Sequence, residues 1–117
     1  MDTETLVQKQ HRFARSLAYL IIWAGEQGWH VTLGWAWRPI EVDEMYARQG
    51  IGIKNSLHTS RLAADLQLYI NNVFQTKSEA YKPLGEKWKS FGPDYCWGGD
   101  FHKPDGDHFS IEHNGIK

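Results

Sequence analysis

The sequence predicts an α+β domain in which a short, mostly antiparallel sheet is flanked by helices. One long amphipathic stretch lies at the N-terminus, and several short β-rich or alternating stretches follow it. The two kinds of element do not alternate regularly, as they would around a parallel sheet. A chain of 117 residues has the length of one compact domain, so residues 1–117 are predicted to form a single domain.

Three stretches have the spacing of helices. Apolar residues recur at helical intervals over residues 5–24, and a shorter helix is predicted over residues 42–48. Thr76 and Glu79 have the spacing of a capping box for a third helix. Pro83 fits poorly inside that helix and favours a start at the proline instead.

Strands are predicted at three places. Residues 29–37 (WHVTLGWAW) are rich in β-branched and aromatic residues, residues 62–70 alternate between polar and apolar, and residues 108–112 form a short final strand. Residues 50–60 and 92–106 contain several glycines or prolines and are predicted to be loops.

Composition excludes several classes of protein. The net charge is −1 and no run of Lys or Arg is present, so a nucleic-acid partner is not expected. The single cysteine, Cys96, cannot form an internal disulfide and is predicted to be a structural thiol. Six tryptophans allow a substantial core without such a crosslink.

The N-terminus, MDTETLVQKQ, is acidic and polar and lacks the pattern of a secretory signal. The longest apolar stretch, residues 17–24, is too short to insert into a membrane. We therefore expect synthesis in the cytoplasm without a signal peptide. If the protein acts outside the membrane, another factor must release it.

Two histidines and one aspartate are candidate metal ligands. Asp65 lies in an apolar setting, where a carboxylate needs either a cationic partner or a metal. His58 precedes it by seven residues, and strand alternation places His108 on the face opposite the core residue Phe109. Two His and one Asp would supply three zinc ligands and leave a fourth position open for water. The other four histidines are interpreted as solvated or structural.

A zinc hydrolase also needs a carboxylate that takes a proton from water. Asp105 lies in a loop three residues before His108 and is the preferred candidate. Asp107 should point away if the strand has already begun, and Glu112 lies two pleats further along.

At these residues the sequence resembles the M15 family of zinc peptidases. Members carry S-x-H-x-x-G-x-A-x-D, and residues 56–65 read SLHTSRLAAD. A second family block is W-G-G-D-[WF] followed by D-x-x-H-[FW], and residues 97–101 and 105–109 read WGGDF and DGDHF. The resemblance implies a fold like that of hedgehog domains and D-Ala-D-Ala peptidases. It also implies one Zn²⁺ ion held by His58, Asp65 and His108, with Asp105 as the catalytic base.

The resemblance extends to residues that contact substrate. Arg38, at the end of a predicted strand, matches a family Arg that contacts a substrate carboxylate or carbonyl, and the alternative is a surface Arg before a turn. Ser56 is expected either to bind substrate or to order its loop. Arg61 departs from the pattern because it occupies the usual Gly position, which implies a different local backbone or an exposed side chain.

The function implied is hydrolysis of a peptide bond in the peptidoglycan stem by a phage or prophage endolysin, specifically an L-alanyl-D-glutamate endopeptidase. Such an enzyme, expected to be a monomer, would wait in the cytoplasm until a holin opens the membrane. One alternative is a cellular D,D-carboxypeptidase or dipeptidase with the same chemistry. Another is a non-catalytic zinc-containing module that binds the cell wall, as hedgehog-type domains illustrate.

Overall fold

Residues 3–51 and 56–117, the part of the chain that this computed structural model describes, contain three helices and five strands. In chain order they are α1 (Leu6–Glu26), β1 (His30–Leu33), α2 (Ile40–Arg48), β2 (Ala63–Ile70), β3 (Val73–Phe74), α3 (Lys82–Lys89), β4 (Tyr95–Trp97) and β5 (His108–Ile111). Short 3₁₀ turns cover Ser78–Tyr81 and Gly98–Asp100. Within the described ranges, no helix combines the length and apolar character needed to cross a bilayer.

The strands form one sheet in the order β1-β2-β5-β4, with β3 also paired to β2. Every pairing is antiparallel, so the predicted α+β class with a small antiparallel sheet is confirmed. β2 is the central strand, and its register places Asp65 directly opposite His108 on β5. Along β2, Leu66 and Leu68 are buried while Asp65 and Gln67 are only half-buried, as the alternation predicted.

The first helix begins where the sequence indicates. Thr5 is the N-cap, and its side chain and that of Gln8 form a reciprocal capping box. The apolar face of α1 brings Phe13, Leu20 and Ala24 into the core. The helix continues to Glu26, two residues beyond the predicted end.

Trp88 of α3 organises the core. It is completely buried, and its indole Nε1–H donates to the carbonyl of Ser110 at 3.0 Å. Phe13, Tyr95 and Phe109 meet its ring edge-to-face, with centroids 5.6, 4.9 and 6.1 Å away. These contacts tie the first helix to β4 and β5, so β5 is held firmly where it carries His108.

Three predictions about elements need correction. The strand predicted over residues 29–37 ends at Leu33, although Gly34 and Trp35 still exchange backbone hydrogen bonds with Asp65. The predicted loop over residues 92–106 contains β4, which is only three residues long and too short to show alternation.

The Thr76–Glu79 capping box is wrong, because a 3₁₀ turn with Lys77 at its N-cap position occupies this stretch without a side-chain cap. The alternative start holds, since α3 begins at Lys82 with Pro83 in its first turn. The predicted loop over residues 50–60 agrees with the turn at residues 57–60, while residues 52–55 lie outside the described part.

Candidate metal centre and active site

His58, Asp65 and His108 converge at one end of the β2–β5 pair. Each offers a ligand atom, and the three atoms lie within 4.8 Å of one another. Oδ1 of Asp65 is 3.3 Å from Nε2 of His58 and 3.8 Å from Nδ1 of His108. Two of the three residues are placed by strand register, and His58 comes from the turn that precedes β2.

The turn that carries His58 is fixed from within. The His58 N–H donates to Oγ of Ser56 at 3.2 Å, and the Leu62 N–H donates to the Leu57 carbonyl at 3.0 Å. Leu57 and Leu62 are both buried and anchor the two ends of the turn. Of the two roles expected for Ser56, this contact accounts for ordering of the loop.

Arg61 closes the same turn with a φ of +59°, in the left-handed region that favours glycine. Its side chain is exposed, and its guanidinium lies 4.8 Å from the centroid of the Trp37 ring. The exposed side chain is one of the two expectations for this position. The backbone has a conformation that a glycine adopts readily.

Electrostatics favour an ionised Asp65. Burial raises its pKa, but the adjacent rings of His108 and His58 outweigh burial and lower the pKa to about 2. Oδ1 of Asp65, the atom that His58 Nε2 and His108 Nδ1 approach, is buried without a hydrogen-bond partner in the described residues, and so is the other nitrogen of each ring. Buried polar atoms are rarely left unpaired, and two imidazoles with one carboxylate form a donor set that suits zinc. The residues present therefore fit a metal ion.

Asp105 lies beside this centre. The carboxylates of Asp65, Asp105 and Asp107 have oxygens within 4.8 Å of one another. Although the Asp105 side chain is partly open to solvent, desolvation by the surrounding protein and the neighbouring Asp107 raise its pKa to about 7. A carboxylate with a pKa near neutrality can both accept and return a proton.

Asp107 does not point away from the site. β5 begins only at His108, so strand alternation does not apply to Asp107, and its Oδ2 accepts from Nε2 of Gln67 at 3.3 Å. Glu112 belongs neither to the His58–Asp65–His108 cluster nor to the cluster of three aspartates. Its backbone carbonyl accepts from Lys9 Nζ at 3.3 Å. The preference for Asp105 over these two residues as the proton acceptor stays a prediction.

Gly98 brings Asp105 and His108 together. The Asp105 N–H donates to the Gly98 carbonyl at 2.9 Å, and the His108 N–H donates to the Asp105 carbonyl at 3.0 Å. A Cβ added at Gly98 would lie 2.1 Å from the Asp105 carbonyl oxygen and 2.8 Å from the His108 Cβ. This close approach requires a glycine at position 98 of the W-G-G-D segment, next to the loop that carries Asp105.

Trp97 supports the same loop from below. Its indole Nε1–H donates to the Gly106 carbonyl at 2.7 Å. Cβ atoms at Gly85 or Gly99 would each lie 2.1 Å from its ring, so two glycines make room for the indole. Trp97, together with the glycines that make room for it, thus fixes the position of the loop that carries Asp105 and Asp107.

Arg38 is buried rather than open to solvent. Its Nη1 donates to Oδ1 of the fully buried Asp43 at 3.1 Å, and its guanidinium lies against the rings of Trp35 and Tyr46. Oδ2 of Asp43 accepts in turn from the Thr59 hydroxyl at 2.5 Å. Nε of Arg38 is buried without a partner in the described residues.

Sequence reasoning missed Asp43, which joins Arg38 to the turn carrying His58. Only its position in the first turn of α2 stood out, and that position equally suits a solvated helix start.

A cavity of about 290 Å³ adjoins the carboxylates. Asp105 and Asp107 form one wall, and Gln67, Phe74 and Ser78 contribute to the others. From β2 the cavity is lined by Gln67, which lies on the same face of the strand as Asp65, so the cavity offers space for a chain beside Asp105 and Asp107.

The remaining histidines take no part in the cluster. His11, His30 and His102 are exposed, and Nδ1 of His113 lies 3.2 Å from Lys9 Nζ. Their interpretation as solvated or structural side chains agrees with these positions.

Residues 50–111, just over half of the chain, match a family model described as D-alanyl-D-alanine carboxypeptidase. The chain belongs to the M15 peptidase family. The matched region contains His58, Asp65, Asp105 and His108, whereas Arg38 lies outside it. An M15 peptidase is a hydrolase, so the geometry above belongs to an enzyme family whose reaction is peptide-bond cleavage.

Among solved structures, this M15 peptidase is similar to the L-Ala D-Glu endopeptidase ChiX of Serratia marcescens. The TM-score is 0.62 at 20% sequence identity, and the match covers 92% of this chain and 77% of the other. The likeness establishes the fold. No curated protein matches the sequence.

Proposed function

We propose that this M15 peptidase is a zinc-dependent hydrolase of the peptidoglycan stem peptide, and specifically an L-alanyl-D-glutamate endopeptidase of the endolysin type. The observation that carries the proposal is the convergence of His58, Asp65 and His108 with the Asp105 carboxylate beside them. Family membership and the fold shared with an L-Ala D-Glu endopeptidase support the reaction and the substrate.

In this proposal His58, Asp65 and His108 hold one Zn²⁺ ion. The bound ion supplies Lewis acidity, which polarises a carbonyl and makes water more acidic. Asp105 accepts a proton from the attacking water on a carboxylate oxygen and later donates it to the leaving amine. Its raised pKa suits both steps at neutral pH.

Arg38 is proposed to stabilise negative charge on the substrate. Its pair with Asp43 holds the guanidinium in one place, and Nε has no partner in the described residues. A fixed guanidinium suits a carboxylate or a developing oxyanion. Ser56 contributes by ordering the turn of His58, with contact to substrate as a further part of the proposal.

The bond cut defines the main alternative. The family model's description favours a D,D-carboxypeptidase, which would remove a terminal D-alanine. A cellular dipeptidase with the same chemistry belongs to this alternative. The fold shared with an L-Ala D-Glu endopeptidase supports the endopeptidase, and the cavity of about 290 Å³ beside Asp105 offers space for a peptide chain. A non-catalytic module that binds the wall is the other alternative.

Digestion of purified peptidoglycan, followed by mass spectrometry of the fragments, tests these functions. An endopeptidase releases peptides that begin with D-glutamate, whereas a carboxypeptidase releases free D-alanine. Asp105→Asn should keep zinc but lower the turnover by at least a hundredfold, since general-base catalysis contributes roughly 10²–10⁴. Zinc-loaded protein that cleaves no peptidoglycan would favour the binding module.

The proposal also includes the route and the state in which the enzyme acts. We infer that a monomer accumulates in the host cytoplasm and reaches the wall after a holin opens the membrane. We expect cells that produce the enzyme to lyse only when a holin is produced with it. Light scattering should give the mass of a monomer.

A further inference from the structure

We propose that a groove between α1 and the Trp37–Arg61 pair binds an amino-sugar ring of the glycan strand beside the scissile bond. The groove has a volume of about 500 Å³, and its lining includes Gln10, His11, Phe13 and Leu17 of α1 as well as Trp37 and Arg61. This inference rests on the proposed endopeptidase function and names where the sugar end of that substrate lies.

The lining has the chemistry of a sugar site. The Trp37 indole is 45% exposed and provides a flat apolar surface, and His11 and Arg61 provide N–H donors next to it. An N-acetylated sugar has an apolar ring face with hydroxyl and acetamido groups at its edge, which matches such a surface. None of the described lining residues carries a carboxylate, so the groove does not favour a cationic peptide.

Backbone hydrogen bonds connect the groove to the turn that carries His58. The carbonyl of His58 accepts hydrogen bonds from the N–H groups of both Arg38 and Arg61, each at 3.3 Å. Trp37 precedes Arg38, so both residues of the pair are tied to the turn that carries His58. A ligand in the groove therefore lies next to that turn.

The proposed substrate carries a sugar close to the bond that is cut. In peptidoglycan the L-alanine is joined to the sugar through a lactyl group, so two chain units separate the L-Ala–D-Glu bond from the ring. At about 3.5 Å per extended unit, this distance is about 7 Å. The D-Ala–D-Ala bond is about five units from the sugar, so a sugar subsite next to the turn of His58 suits the L-Ala–D-Glu bond better.

Arg61 retains a conformation that disfavours a side chain. Its φ of +59° costs free energy for any L-residue with a Cβ, and a glycine would avoid this cost. The Arg61 guanidinium stacks on Trp37 and makes no ion pair within residues 3–51 and 56–117. The Arg61 side chain thus completes the groove at the cost of an unfavourable backbone conformation, which agrees with the proposed binding role.

Cleavage of two matched substrates tests the inference. One is a disaccharide-bearing muropeptide and the other is the same stem peptide without sugar. For Trp37→Ala and Arg61→Gly, the ratio of kcat/KM for the first substrate to that for the second should fall about tenfold. Arg61→Gly is expected to fold because glycine accepts the positive φ. Tyr19→Ala, on an exposed part of α1, is the control and should leave the ratio unchanged.

Equal losses on both substrates, or an unchanged ratio, would overturn the sugar subsite. Binding of the product, the disaccharide joined to L-alanine, gives a reading independent of catalysis. NMR titration should show saturable binding to the wild-type protein that weakens about tenfold in Trp37→Ala. If neither substrate is cut, the proposed function fails. The titration then decides the groove by itself, and absence of binding overturns it.

Discussion

Asp43 and Arg38 form an ion pair inside the protein, with Oδ1 3.1 Å from Nη1 and the carboxylate completely buried. Asp43 also accepts from Thr59, so one buried carboxylate joins α2, Arg38 and the turn of His58. The pair therefore links a proposed substrate contact to a proposed metal ligand.

Removing Asp43 should destabilise the protein strongly. Asp43→Ala leaves the Arg38 charge buried and unpaired, and such a loss costs about 3–5 kcal/mol. Urea unfolding of the metal-free protein measures the free energy of unfolding. Glu86→Ala, which breaks an exposed pair with Lys89, is the control and should change it by about 1 kcal/mol or less. Similar values for the two variants would show that the buried pair has no special role.

Metal binding should depend on three side chains. His58→Ala, Asp65→Ala and His108→Ala are each expected to abolish stoichiometric zinc after dialysis, measured by elemental analysis. In the wild-type protein, zinc at a hundred times its Kd should add about 2.7 kcal/mol to the stability. His30→Ala removes an exposed histidine and should retain the metal. Full zinc content in a variant of the triad would remove that residue from the ligand set.

Gly98 should tolerate no side chain. In Gly98→Ala the new Cβ would meet the Asp105 carbonyl and the His108 Cβ, so the loop must shift. We expect kcat/KM to fall about 10²-fold, as misplacement of about 1 Å near reacting groups does. Gly25→Ala is the matched control, because nothing lies within 4 Å of its added Cβ. Wild-type activity in Gly98→Ala would show that the loop position does not matter.

The metal-free protein should lose stability as the pH rises from 4 to 7. The pKa of Asp105 is raised to about 7, so the folded state holds a proton that the unfolded state releases near 3.8. The unfolded state then binds fewer protons across this interval, and the free energy of unfolding falls. The low pKa of Asp65 acts with opposite sign, but only between about 2 and 3.8.

Melting temperatures measured with a chelator at several pH values test this dependence. Asp105→Asn should flatten the profile between pH 4 and 7, since the titrating group is gone. Asp107→Asn should reduce the slope, because a neighbouring carboxylate that raises the pKa is removed. A slope that persists in both variants would assign it to other groups.

The periodicity of polar and apolar residues predicted those helices and strands that are long enough to show it. Alternation along β2 correctly placed Leu66 and Leu68 in the core and Asp65 on the other face. β4 was not predicted because three residues are too few to show a period. It pairs with β5, and Trp88 packs against Tyr95 of one strand and Phe109 of the other. The capping box failed for the related reason that a spacing of three also occurs in 3₁₀ turns.

The candidate site followed from two motifs, which the fold brings together across one strand pair. Asp43 could not be predicted, because its role arises from contacts with Arg38 and Thr59 made only after α2 docks. The position of Asp107 likewise depends on where β5 begins, which alternation cannot fix to one residue.

The facing positions of Asp65 and His108 have a mechanical consequence. An ion held between them would act as a crosslink between β2 and β5, the two inner strands of the β1-β2-β5-β4 order. The single cysteine, Cys96, cannot form an internal disulfide. A bound metal would therefore supply a crosslink that disulfides cannot provide in this chain. Slippage of the pair by one residue would turn a ligand away. An ion bound there would thus also fix the alignment of the strands that create its site.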